Sequence, residues 1–216
     1  MIKILGEKNS IFNQFMLEIR DAKIQKDSMR FRRNLERIGE IFAYEISKTL
    51  PTNRKNVETQ LGSVEIDVPT NKIVLSTILR AGLPLHQGFL NYFDSAENAF
   101  VSAYRKYEGD NSFEVKVEYL SSPEIDDKIL IISDPMLATG SSMHLTYRAL
   151  LERGIPAHTH IVTIIASKDG IEYVRKHFNK NNITLWVGAI DDELTVKSYI
   201  IPGLGDAGDL AYGSKV

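Results

Sequence analysis

The chain has 216 residues, with 26 Lys and Arg against 28 Asp and Glu, a formal net charge of -2 and no cysteine. That length can bury the core of one domain, the near-neutral charge gives no global basic field for nucleic acid, and the missing thiols exclude disulfides and thiolate metal sites and fit a reducing cytosol. The segment 1–7 is too short and too charged for a signal peptide, and no apolar run approaches a membrane span, so a cytoplasmic protein without membrane association is expected.

The first 50 residues read as helical. Phe31, Leu35, Ile38, Phe42, Ile46 and Leu50 recur in steps of three and four and fall on one helix face. Ser28 is a plausible N-cap, Pro51 ends the run, and the charges opposite (Arg30, Arg33, Glu36, Arg37, Glu40) read as solvated. From about residue 72 the pattern changes to near-continuous apolar runs, as in strands covered on both faces: Ile73 to Leu79, Ala99 to Tyr104, Ile129 to Ser133, Ile161 to Ala166, and a shorter one from Leu185 to Val187. Helical patterns at Met143 to Arg153, stopped by Gly154, and at Ile171 to Phe178 fall between them. Strands alternating with helices predict an α/β fold with a mainly parallel central sheet flanked by helices. Phe113 to Tyr119 alternates apolar and charged residues, and Lys106 to Ser112 carries turn chemistry, so residues 105–120 read as a projecting β flap. Asn182-Ile183-Thr184 matches a glycosylation sequon, but no secretion signal accompanies it.

Three segments carry chemistry. In Asp134-Pro135-Met136-Leu137-Ala138-Thr139-Gly140-Ser141-Ser142 an acid ends a buried strand and small residues lead into a helix. A phosphate wants convergent N–H donors at a positive helix end, and the acid lies where open α/β sheets place ligands. An ordinary β–α turn with a helix cap would also carry Ser and Thr here. In Leu79-Arg80-Ala81-Gly82-Leu83-Pro84 an arginine follows a second strand, and Tyr104-Arg105 repeats the arrangement; two such forks suit a polyanion such as a pyrophosphate. The tail, Tyr199 to Asp209, spells G-x-G-x-x-G at Gly203, Gly205 and Gly208, but only eight residues follow, too few for a dinucleotide fold. A tight coil presenting main-chain groups to a planar polar ligand accounts for it better. His158 and His160 have no third ligand nearby to make a zinc site. Asp191-Asp192-Glu193 reads as a solvated loop, and Trp186 as core or interface.

These three segments, in this order, resemble the uracil phosphoribosyltransferases, with Phe42-Ala43-Tyr44-Glu45 and Ser63-Val64-Glu65-Ile66-Asp67 adding to a likeness that spans nearly the whole chain. The resemblance implies a type I phosphoribosyltransferase-like domain over 1–216, with N-terminal helices, the flap, and a base-binding segment at 199–209. It implies a reaction of pyrimidine salvage, in which uracil and 5-phosphoribosyl 1-diphosphate (PRPP) give UMP and diphosphate. Asp134 to Ser142 would form the PRPP loop, Asp134 on the ribose hydroxyls and Thr139, Gly140, Ser141 and Ser142 on the 5-phosphate, with Pro135, Met136, Leu137 and Ala138 between. Arg80 and Arg105 would contact the diphosphate. Ile200, Gly205, Asp206 and Ala207 would read uracil through the main chain, and Asp206 would also touch PRPP. Arg80, Arg105 and Asp206 would then be the catalytic residues. Mg²⁺ would arrive with PRPP, with no metal site of the protein's own, and the working form would be a homodimer or larger homo-oligomer.

Main-chain reading makes sense for uracil. Cytosine reverses the donor and acceptor at two edge positions, and each buried mismatch costs on the order of 1–3 kcal/mol. Two alternatives stand beside this reading: a non-enzymatic, pyrimidine-responsive RNA-binding regulator on the same scaffold, and a phosphoribosyltransferase for another base. The chain departs from many relatives at Gly140-Ser141-Ser142, at Lys106 to Asp110, at Leu83-Pro84, at Leu210 and at Ser214, none of which removes a named contact.

Overall fold

Strands that are apolar at every position need cover on both faces. The computed structural model describes residues 1–69, 72–108, 112–179 and 181–214, with the side chains of 103–116 outside the description. In chain order the elements are β1 (Ile2–Ile4), α1 (Ile11–Arg20), α2 (Ser28–Ser47), β2 (Thr52–Thr59), β3 (Gly62–Pro69), β4 (Ile73–Leu79), α3 (Leu83–Leu90), β5 (Glu97–Glu108), β6 (Ser112–Ser121), β7 (Ile129–Ser133), β8 (Met136–Leu137), α4 (Ser141–Leu151), β9 (His158–Ser167), α5 (Lys168–His177), β10 (Ile183–Asp191), β11 (Glu193–Leu194), β12 (Ile200–Ile201) and α6 (Ala207–Tyr212). The main sheet runs β1-β10-β9-β7-β4-β5-β6, with β8 added to β9. Its pairs are parallel except β5 with β6.

Successive strand residues point to opposite faces, and the core divides accordingly. Ile73, Leu75, Ile129, Ile131 and Trp186 pack with α1, α2, α3 and the C-terminal segment. Val74, Leu130, Ile132, Leu185 and Val187 pack with α4 and α5. The glycines at the α2–α3 crossing let two backbones touch: a Cβ on Gly39 would collide with the Leu85 carbonyl, and one on Gly88 with the Glu36 carbonyl. The division also places the site. β4 and β7 are neighbours, yet α3 after β4 covers one face and α4 after β7 covers the other. The crevice beyond their carboxyl ends is where an open α/β sheet receives a ligand.

Several expectations change. The N-terminal region is not helical throughout: Ile2–Ile4 extends the sheet beside β10. Asp27, not Ser28, caps α2, accepting the Arg30 N–H at 3.0 Å, because its carboxylate reaches the first turn. The charges opposite the apolar face are only partly solvated. Arg30 pairs with Glu18 at 3.0 Å and Arg33 with Glu36 at 2.6 Å, and Asn91 donates to both Glu36 and Glu40. The exposed hairpin β2–β3 and helix α3 have no counterpart in the sequence reading. The strand ending the flap's first arm continues to Glu108, where turn chemistry was expected. The fifth apolar run belongs to a nine-residue strand, Ile183–Asp191.

Trp186 is buried in the core, and its indole Nε1–H donates to His160 Nδ1 at 3.1 Å. An indole only donates, so the imidazole is neutral and carries its proton on Nε2. Burial, then His158 and Lys3, push its pKa down from 6.5 to about 3. Between those values the unfolded chain binds the proton and the folded chain does not, so stability falls as pH drops through that window. Chemical denaturation from pH 7 to pH 4 should show a shallower stability loss for His160→Gln than for the parent.

Candidate active site

A cavity of about 690 Å³ opens at the carboxyl ends of β4 and β7. Three stretches line it: Ile78 to Ala81, the Asp134–Met143 turn, and the C-terminal stretch from Ser198 to Asp209. The three segments singled out in sequence therefore converge, although 129 residues separate Arg80 from Asp209.

The Asp134–Ser142 turn is built from below. The Pro135 carbonyl accepts from the N–H groups of Ile164 and Ile165 at 3.1 and 3.0 Å. Met136–Leu137 is a short strand on β9, where a plain turn was expected. Ser167 Oγ donates to the Ala138 carbonyl at 2.5 Å and accepts from Gly170 N–H at 2.9 Å. Gly140 sits at φ +81, and a Cβ there would press on the Tyr173 ring at 2.8 Å. Its need for glycine thus comes from the backbone angle and the tyrosine beneath, rather than from a ligand's approach. Gly140 precedes α4 and offers no side-chain cap; the Ser141 N–H reaches Thr139 Oγ1 at 3.4 Å, and Ser142 and Met143 of the first turn line the cavity. Thr139 Oγ1 bonds Ser141 Oγ at 3.2 Å. Of the predicted phosphate set, Asp134, Met136, Leu137, Ala138, Thr139, Gly140 and Ser142 line the cavity, whereas Pro135 and Ser141 do not.

Arg80 follows β4. Its Nη2 donates to Asp209 Oδ1 at 3.1 Å and to the Gly213 carbonyl at 2.9 Å, while its buried Nε has no partner among the described residues. The tail is more regular than the expected coil. Ile200–Ile201 pairs with β11, a cis Ile201-Pro202 bond follows, and Ala207–Tyr212 is a helix. Asp206 caps that helix, its Oδ1 accepting from Asp209 N–H at 2.9 Å. Gly205, at φ +94 with open space where a Cβ would stand, leaves its main chain bare to the cavity. Ile200, Gly205, Asp206 and Ala207 all line it. Arg105 lies on β5 opposite Val115, and its side chain and residues 109–111 of the flap lie outside the described residues.

The sequence reading missed Asp209 as the partner of Arg80. It also misplaced Asp191, which is 7% exposed and paired with Arg20 rather than part of a solvated loop. Local signals for either were absent, since both partnerships span more than half the chain.

Comparison with known proteins follows the same lines. The family model for uracil phosphoribosyltransferase matches residues 7–214. A uracil phosphoribosyltransferase of Porphyromonas gingivalis is 58% identical over 98% of both chains. One of Methanothermobacter thermautotrophicus is 42% identical over 99% of this chain and 95% of its own. A solved structure of a protein from Aquifex aeolicus superposes with a TM-score of 0.88 at 31% identity and covers all of both chains. A Staphylococcus aureus hypoxanthine phosphoribosyltransferase shares the fold at a TM-score of 0.50, with 16% identity over 76% of each chain.

Proposed function

The chain belongs to the uracil phosphoribosyltransferase family, and we propose that the cavity beyond β4 and β7 is where it joins uracil to PRPP. It is a pentosyltransferase of pyrimidine salvage that forms UMP and diphosphate. The observation supporting the site is the convergence of the Asp134–Ser142 turn, Arg80 and the Ile200–Ala207 main chain on one cavity.

In this reading the 5-phosphate takes the N–H groups and hydroxyls from Thr139 to Ser142 at the start of α4. Asp134 accepts from the ribose hydroxyls. The uracil edge lies along the main chain of Ile200 and of Gly205 to Ala207. Uracil N1 attacks ribose C1, the C1–O bond to diphosphate breaks, and the N1 proton passes to solvent or to the departing anion. Negative charge grows on the leaving group, where Arg80 would meet it, joined by Arg105 as the resemblance implies. The acids around the cavity fit a metal ligated chiefly by substrate oxygens: Asp206 caps α6 and Asp209 pairs with Arg80. Mg²⁺ bound to PRPP supplies countercharge for the diphosphate. The remaining work is positioning. Flap closure over residues 105–120 would keep water from PRPP. The reading further takes 1–216 as one catalytic domain working in the cytoplasm as a homodimer or larger assembly. Among the described residues no helix is long and apolar enough to cross a membrane.

The test is UMP formation from uracil, PRPP and Mg²⁺, with cytosine and hypoxanthine as controls. Turnover confined to uracil is expected. Turnover with hypoxanthine alone would assign another base, and no turnover beside salt-dependent RNA binding would favour a regulator.

A further inference from the structure

Arg20 and Asp191 are far from Arg80 and Asp134 in sequence and touch no reacting atom in the scheme above, yet both hold the C-terminal segment. Arg20 ends α1 and Asp191 ends β10. The two meet as a bidentate pair, Nη1 to Oδ2 at 2.8 Å and Nη2 to Oδ1 at 2.9 Å. The same pair takes both main-chain polar groups of Gly203. Its N–H donates to Asp191 Oδ2 at 2.8 Å, and its carbonyl accepts from Arg20 Nη1 at 3.2 Å. Gly203 sits at φ +54, and a Cβ there would collide with the Ile200 carbonyl, so the bend is tight and held from outside.

We propose that Arg20 and Asp191 are positioning residues that set the affinity for uracil by fixing the bend at Gly203; the proposal rests on the assignment of residues 200–207 to base recognition. The bend joins the two halves of that segment, Ile200 before it and Gly205 to Ala207 after it. A main chain that reads a base has no rotamers with which to correct its own placement. The spacing between its donors and acceptors is whatever the bend makes it, and a displacement of about 1 Å costs much of a hydrogen bond's value. The ends of α1 and β10 supply a fixed reference for that spacing, because both elements pack into the core.

A general contribution to stability is a weaker account of the pair. Arg20 is 24% exposed and Asp191 7%; the intact pair adds little net stability after desolvation, although removing one partner alone leaves the other charge unpaired. The segment has other anchors: Ile200, Leu204, Ala207 and Ala211 are buried in the core, Arg80 holds Asp209, and Arg32 Nη1 donates to the Ala211 carbonyl at 2.7 Å. Losing the pair therefore frees the bend while the ends stay docked.

The experiment is steady-state kinetics with uracil and PRPP varied separately, on Arg20→Met, Asp191→Ala and their double variant, with Arg20→Lys and Asp191→Asn as conservative partners. The KM for uracil should rise about ten- to a hundredfold in each non-conservative variant, the scale of a charge-assisted hydrogen bond. The KM for PRPP, and kcat at saturating uracil, should stay within about threefold. The double variant should be little worse than either single one, since the residues act as a unit. Asp191→Asn keeps an acceptor for Gly203 N–H and should lose less than Asp191→Ala. A fall in kcat with both KM values unmoved would overturn the proposal, as would an unchanged uracil KM in variants whose circular dichroism matches the parent. Should Asp191→Ala not fold, Arg20→Lys and Asp191→Asn carry the same split. A parent protein that forms no UMP would instead defeat the functional reading itself.

Discussion

Replacing Arg80 by alanine is expected to lower kcat by about 10²- to 10³-fold, the scale of removing one donor aimed at developing negative charge. Arg80 is placed to do two things. One side of its fork holds Asp209 and the Gly213 carbonyl, which docks α6 against the end of β4. Its Nε is buried and meets no acceptor among the described residues. A buried donor of this kind calls for a partner, and a diphosphate oxygen in the cavity would supply one. Arg80→Lys keeps the charge but not the fork, so it should keep either the tether or the anion contact and fall between parent and alanine. Pre-steady-state turnover and thermal melting together decide the matter. A large rate loss with a melting temperature close to the parent's is the expected outcome. A melting temperature that collapses along with the rate would make Arg80 a tether alone.

Asp134→Asn should reduce kcat/KM for PRPP by roughly a hundredfold and leave the KM for uracil nearly unchanged, the upper end of what a charge-assisted hydrogen bond contributes. The substitution keeps size and shape. The main chain at this position is fixed by the sheet, with Asp134 N–H donating to the Val162 carbonyl at 3.1 Å, so the side chain starts from the end of β7 in parent and variant alike. An amide presents one acceptor oxygen in place of two and carries no charge, and a pair of ribose hydroxyls would make use of both. Equal losses in the two KM values would instead indicate a collapsed cavity.

How much of this was legible in the sequence depended on whether the signal was local. β4, β7 and β9 stood out because both their faces are covered, which forces apolar residues at every position. The Asp134–Ser142 turn was legible because its candidate ligand groups are consecutive residues, whereas the support beneath it from β9 and α5 was not. Helix α3 was not, because Pro84 reads as a turn residue, although a proline in the first turn is a good helix start. The hairpin β2–β3 was overlooked although Val64-Glu65-Ile66-Asp67-Val68 alternates apolar and charged residues; its partner β2 shows no such alternation, and nearly every residue of the pair is exposed. β1, at three residues, is too short to show any period. Arg20 and Asp191 could not be paired from sequence at all, since 171 positions separate them and no pattern of residue types joins the end of a first helix to the end of a late strand. The expected tail coil proved to be a strand and a helix because Asp206 supplies a cap that a glycine-rich reading overlooks.

The bare contact between α2 and α3 has a consequence for inheritance. Gly39 and Gly88 do not line the cavity, yet α3 begins three residues after Arg80. A single added methyl at either glycine would wedge the two helices apart and carry the strand end with them. In a screen for alleles resistant to toxic pyrimidine analogues, these two codons should therefore recur among the lesions that spare every residue around the cavity.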